Sequence, residues 1–144
     1  MTQSVIIFRK RLLSYSETFI ADQGQFLPCY QPVYCGFSRD RSGQALIENA
    51  PQVLLSEISK TPILSKLAFR LGLSMNRNWL DAIQRYQPKL IHAHFFNDGL
   101  DAVKIGKRLD LPVITTVHGH DITKYENAIA QSRRIRLFLL MWTR

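Results

Sequence analysis

This chain has no long apolar run, and it lacks several other features that would classify it at once. No stretch approaches the roughly 20 apolar residues needed to cross a bilayer, so any membrane contact is expected to be peripheral. There are only two cysteines, Cys29 and Cys35, and their spacing is not C-x-x-C. They read as small buried hydrophobes rather than metal ligands. The opening MTQSVIIFRKRLL carries its charges after a short apolar run, the reverse of a secretory signal, so a reduced, cytoplasmic protein is expected. No glycine-rich loop is present, which weakens a dinucleotide site and excludes a P-loop nucleotidase. Repeats, low-complexity tracts and linkers are also missing. Acidic residues are scarce, 11 Asp and Glu against 19 Lys and Arg, for a formal charge of +8. The excess predicts attraction to anions, whether nucleic acid, a membrane face or phosphorylated small molecules, without choosing among them.

What remains is a 144-residue chain with 46% apolar residues, enough for one domain with a core. Ser4 to Phe8 reads as a strand buried on both faces. Ser14 and Glu17 have capping-box spacing, with Ser16 as an alternative cap, so a helix is expected to start there and bury Phe19, Ile20, Phe26 and Leu27 before Pro28. A strand is expected within Gln31 to Phe37, then loop from Ser38 to Ala50 and a short strand at Val53 to Leu55. Thr61 and Pro62 open a basic, apolar helix running to about Leu73. Asn76 caps another, with Trp79, Leu80, Ile83 and Tyr86 on one face. Pro88 closes it.

The chain then gives a strand (Leu90 to His94), a helix opening near Asn97 and Asp98, and a strand (Val113 to Val117). In that helix Leu100, Val103 and Leu109 lie opposite Lys104, Lys107 and Arg108. Strand, crossover and strand make a βαβ unit and hence a parallel sheet, so the expected class is α/β. A last helix is expected over 127–142, with six consecutive apolar residues from Leu137 to Trp142. Such a segment needs an apolar partner, either a missing domain or a second copy. The chain is therefore expected to be the amino-terminal part of a longer protein.

Chemistry in an α/β sheet concentrates at the carboxyl ends of its strands, and here two strands end in histidines. His92 and His94 share one face, as would His118 and His120 if the strand continued. With Asp121 these could ligate a divalent metal, which would suit a metal-dependent hydrolase. They could equally line a site for a polar substrate, with Gly119 allowing close backbone approach and Asp121 accepting hydrogen bonds. The helix start at Ser14 to Thr18, with Arg9, Lys10 and Arg11 beside it, could receive a phosphate. A nucleic-acid-binding module rests on net charge alone, without a recognition motif, and no nucleic-acid partner is expected.

Taken in order, SETFI opening a helix, IHAHF and LPVITTVHGHDIT resemble the amino-terminal domain of bacterial retaining glycosyltransferases of GT-B architecture. The likeness is strongest to family 4-like enzymes that build exopolysaccharide or colanic-acid-type polymers. It implies that residues 1–144 form one Rossmann-like, three-layer half with a mostly parallel sheet, on the acceptor side, with the donor-binding domain absent. The implied function is transfer of a sugar from a nucleotide-sugar donor to a lipid-linked or oligosaccharide acceptor in cell-surface polysaccharide synthesis. It implies no cofactor, no metal, and a location at the inner membrane face. His118 would be the strand-end histidine supporting the transferring centre. Ser16, Glu17 and Thr18 would lie beside the donor phosphates, where many relatives have a Gly-Gly pair. His94, Asn97, Gly119, His120 and Asp121 would line the substrate side.

Overall fold

A computed structural model describes residues 3–118. Its centre is a five-stranded sheet in which every pairing is parallel, ordered β5-β3-β1-β6-β7. The strands are β1 (Gln3–Phe8), β3 (Tyr30–Gly36), β5 (Gln52–Leu54), β6 (Pro88–His94) and β7 (Val113–Thr116). Two short strands, β2 (Arg11–Leu12) and β4 (Ser38–Arg39), pair separately just beyond β1 and β3. The helices are α1 (Thr18–Gln25), α2 (Leu55–Ile58), α3 (Pro62–Arg70), α4 (Arg77–Gln84) and α5 (Phe96–Leu109), with a 3-10 segment at Arg41–Ile47.

Two cores lie on opposite faces of the sheet, which makes three layers. On one face Ile6, Phe8, Val33, Cys35 and Ile91 pack against Phe69 of α3, Trp79 and Ile83 of α4, and Ala102 and Ile105 of α5. On the other, Ile7, Tyr34 and Leu54 pack against Ile20 and Ala21 of α1 and Ile47. Alternation along each strand sends neighbours to opposite faces, so an apolar run such as Val5 to Phe8 feeds both cores. The expected α/β, Rossmann-like class is the observed one.

The capping chemistry holds where local rules suffice. The Asn76 side chain accepts from the Trp79 N–H at 3.0 Å to open α4, and Pro62 stands in the first turn of α3. Lys107 and Arg108 occupy the last turn of α5, favourable at the carbonyl end of a helix.

Several expectations need correction. α1 begins at Thr18, because the Ser14–Glu17 pair forms a turn: the Glu17 carboxylate accepts from the Ser14 N–H at 3.1 Å, and no side chain caps the helix. Of its expected buried face only Ile20 is sealed in, while Phe26 is 81% exposed. Ser38 to Ala50 is not all loop but contains β4 and the 3-10 segment. α5 buries Asp98, Ala102 and Ile105 rather than Leu100 and Val103, which are only half-buried. Cys35 is buried but Cys29 is exposed. The helix expected over 127–142 lies outside the described residues.

Candidate functional site

From β1 the chain steps outward in two directions, to β3 and β5 on one side and, after returning to β6, to β7 on the other. The carboxyl ends of β1 and β6 therefore flank the switch point of the sheet, where loops diverge and leave a crevice. Arg9 follows β1, His94 ends β6, and His118 lies two residues past β7.

The register explains the histidines. Ile91 and Ala93 are buried in the core under α5, which turns His92 and His94 to the opposite face. There His92 pairs across the sheet with Ile114 and His94 with Thr116. The His92 Nε2 and Thr116 Oγ1 lie 2.8 Å apart in a hydrogen bond. The His92 and His94 rings are 4.5 Å apart, and the His94 and His118 rings stack at 5.9 Å. Phe19 of α1 and Phe95 close on His118 at 4.9 and 4.6 Å. His118 is thus held in an aromatic bracket while remaining half-buried.

These imidazoles are short of partners. Neither nitrogen of His94, itself 1% exposed, has a hydrogen-bond partner among the described residues, nor has the buried Nε2 of His118. Burial, reinforced by His92, His118 and Arg9, pushes the His94 pKa down from 6.5 to about 3. Burial also lowers that of His92. At neutral pH His94 is therefore an uncharged ring, able to exchange hydrogen bonds but unable to attract an anion by charge.

The basic run behaves differently. Arg9 binds Asp98 through one guanidinium nitrogen and Glu17 through another, and its plane lies 4.3 Å over the Phe95 ring. Asp98 also accepts from the Lys10 N–H at 3.1 Å, Lys10 pairs with Asp101 at 3.2 Å, and Arg11 pairs with Asp40 at 3.2 Å. Burial raises the Asp98 pKa against the pull of Arg9 and the Lys10 N–H. All three cations beside the helix start expected to receive a phosphate are thus engaged by carboxylates.

The expected site residues divide accordingly. His94, His118 and, through Arg9 and Phe95, Glu17 come together. Ser16 and Thr18 are exposed at the entry to α1, with the Ser16 Oγ 3.1 Å from that of Ser14. Asn97 is exposed in the first turn of α5. Gly119, His120 and Asp121 lie outside the described residues. Among the described residues no group of three His, Cys, Asp or Glu is placed to hold a metal, since His92 is turned to Thr116 and the carboxylates to cations. The metal-hydrolase reading on His92, His94, His118 and His120 therefore has no support.

Sequence reasoning missed one pairing and the part played by Phe95. Arg9 finds Asp98 across 89 positions, a pairing that no local pattern shows. Phe95 stands at φ +69° between β6 and α5, a conformation a bulky side chain rarely adopts. Such strain persists where surroundings enforce it, often at functional sites. The only sequence signal was the position of Phe95 directly after IHAH.

A family model described as Glycosyltransferase Family 4 matches residues 32–144. The chain belongs to glycosyltransferase family 4. No curated protein and no solved structure gives a significant match. The family 4 match takes in IHAHF and VHGHD but begins within β3, so it leaves out β1, Arg9 and the SETFI segment. A glycosyltransferase domain handles a sugar donor and an acceptor, which gives no support to the nucleic-acid reading.

Proposed function

We propose that this family 4 domain is the acceptor-side half of a retaining GT-B glycosyltransferase. It would transfer a sugar from a nucleotide sugar to a lipid-linked or oligosaccharide acceptor in cell-surface polysaccharide synthesis, at the inner face of the membrane. The observation that carries the reading is the His118 imidazole at the switch-point crevice, bracketed by Phe19, Phe95 and His94, with a buried nitrogen lacking a partner among the described residues. Among those residues no helix is long and apolar enough to cross a membrane.

In this reading His118 hydrogen-bonds the donor sugar as charge develops at the transferring carbon, a role that needs placement more than basicity. His94 is too buried to touch substrate and positions His118 by stacking. Glu17 steers the loop after β1 through Arg9, while Ser16 and Thr18 stand at its open side, where donor phosphates would lie. Asn97, Gly119, His120 and Asp121 complete the acceptor side.

Stabilising a transition state takes groups on both sides of the reacting centre. The donor-binding half is expected to lie outside residues 1–144, so the chain alone should transfer nothing. Incubation with radiolabelled nucleotide sugars and an isoprenyl-diphosphate-linked saccharide tests this. We expect no labelled product from the chain alone, and product when a family 4 donor-binding domain is supplied in fusion. In that fusion His118→Ala should lower kcat about a hundredfold with little change in KM for the acceptor, as expected for a group acting mainly in the transition state. Transfer by the chain alone, or a fully active His118→Ala fusion, overturns the reading.

A further inference from the structure

Helix α3 turns its apolar side outward. Ile63, Leu64 and Leu67 are 86, 62 and 50% exposed, and Leu71 and Leu73, just past its end, are 63 and 75% exposed. Phe69 is the one α3 residue sealed into the core, set edge-on against Phe37 at 5.0 Å. Contiguous exposed leucine and isoleucine of this kind mark a surface meant to meet something apolar.

The charges around the patch indicate what that is. From Ser59 to Leu80 the chain has Lys60, Lys66, Arg70 and Arg77 and neither Asp nor Glu. Lys60, Arg70 and Arg77 are exposed. Beside the patch lies a groove of about 440 Å³ with Phe69 and Met75 in its lining and Lys104, Lys107 and Arg108 contributed by α5. A second copy docking here by two-fold symmetry would bring these cations face to face, which is repulsive. A partner both apolar and anionic fits.

We propose that this face is where the protein lies on a bilayer containing anionic phospholipid. The α3 side chains sink to the acyl boundary, and the lysines and arginines reach the headgroup phosphates. The patch is tied to the switch-point end of the sheet. Phe37 follows the carboxyl end of β3, and Lys104, which lies 5.2 Å over the Phe69 ring, shares Asp101 with Lys10 of the loop after β1. A lipid-linked acceptor held in the bilayer would then be presented near that crevice. This last consequence rests on the proposed transfer reaction; the bilayer contact itself does not.

The test is co-sedimentation of the 144-residue chain with vesicles of phosphatidylcholine alone or mixed with phosphatidylglycerol, with no donor or acceptor present. The chain should bind the anionic vesicles, and release as salt rises. Ile63→Ser with Leu67→Ser should lower partitioning at least about tenfold. Lys60→Gln with Arg70→Gln should lower it about tenfold or more on anionic vesicles only. Phe26→Ser, an equally exposed aromatic at the end of α1, should leave it unchanged. All these side chains are exposed, and unchanged circular dichroism and melting would show that each variant folds. No binding to anionic vesicles at low salt, equal binding by the Ile63/Leu67 variant, or equal loss in the Phe26 variant overturns the proposal. So does a dimer in light scattering that the Ile63/Leu67 changes dissolve, since the face would then belong to a second copy. A chain that binds vesicles while its fusion transfers no sugar leaves this contact standing and removes only the reaction.

Discussion

The loop after β1 and the rim formed by β6 and β7 face each other across the switch point, and they treat their polar groups in opposite ways. In the loop every cation has an anion: Arg9 takes Asp98 and Glu17, Lys10 takes Asp101, Arg11 takes Asp40. On the rim, the His94 nitrogens and the His118 Nε2 are buried without partners among the described residues. Paired charges fix geometry, whereas an unpaired polar group at a crevice, as on the half-buried His118, can take up a ligand, with His94, 1% exposed, only stacked against it. Both regions look chemical in sequence, but in the proposed function the loop serves as scaffold and the rim as site.

The largest effect should come from breaking the scaffold. Arg9→Met leaves the carboxylates of Asp98 and Glu17 buried with their shared cation gone, and a broken buried pair typically costs about 3–5 kcal/mol. Urea denaturation should show that loss, and Arg9→Met combined with Asp98→Asn should recover part of it. If the single variant unfolds within about 1 kcal/mol of the parent, the loop is not the scaffold and the contrast fails.

Next in size is the pH response of the rim. Burial keeps folded His94 neutral far below 6.5, where an unfolded imidazole already takes a proton. The unfolded chain therefore binds more protons in that interval. Stability is fully present above pH 6.5 and falls as pH drops toward the folded value of about 3, by up to about 1.4 kcal/mol per pH unit. His92, also lowered by burial, adds to the slope. Asp98 opposes it as the pH nears the carboxylate range, because burial makes the folded carboxyl take its proton more readily. The His94 contribution is therefore cleanest just below pH 6.5, furthest from the carboxylate range. His94→Phe keeps the ring without the titration, and denaturation at stepped pH should show a shallower slope than the parent. An unchanged slope would mean that His94 is not the withheld proton site.

Much of the scaffold was legible in the sequence because it depends on runs and periods. Val5 to Phe8, Ile91 and the Asn76-capped face of Trp79, Leu80 and Ile83 follow from local composition, and strand ends carrying histidines pointed to the rim. The remainder required the third dimension. Ser14 and Glu17 have the spacing of a cap, yet Glu17 is drawn to Arg9, so the helix waits until Thr18. Phe19 looked like core but leans on His118 at 4.9 Å, because the core place beside it is filled by Ile20. α5 buries Asp98, which looks like a solvent-facing charge until Arg9 is found across the sheet. The strained Phe95 has no local cue, since a backbone angle is set by what packs around it.

A smaller effect tests how tightly the rim is tied at its far end. Thr116→Val removes the hydroxyl from His92 Nε2, leaving a half-buried imidazole with its ring nitrogen unpaired, at a cost of about 1–2 kcal/mol. The same change should shift the His92 ring signals in NMR and, through the ring contact at 4.5 Å, those of His94. Signals that stay in place would mean that each histidine is held by its own strand alone.

The smallest effect belongs to Lys10, whose side chain is 34% exposed where it meets Asp101. A pair this open to water gains little from attraction once solvent screening and side-chain ordering are counted. Lys10→Met should therefore change stability by less than about 1 kcal/mol in the same urea melts. The Asp98 contact would persist in that variant, because it uses the backbone N–H of residue 10 rather than the ammonium. A loss as large as that of Arg9→Met would move the anchor of the loop from the guanidinium to the ammonium, and with it the route by which Glu17 and Phe95 are held beside His118.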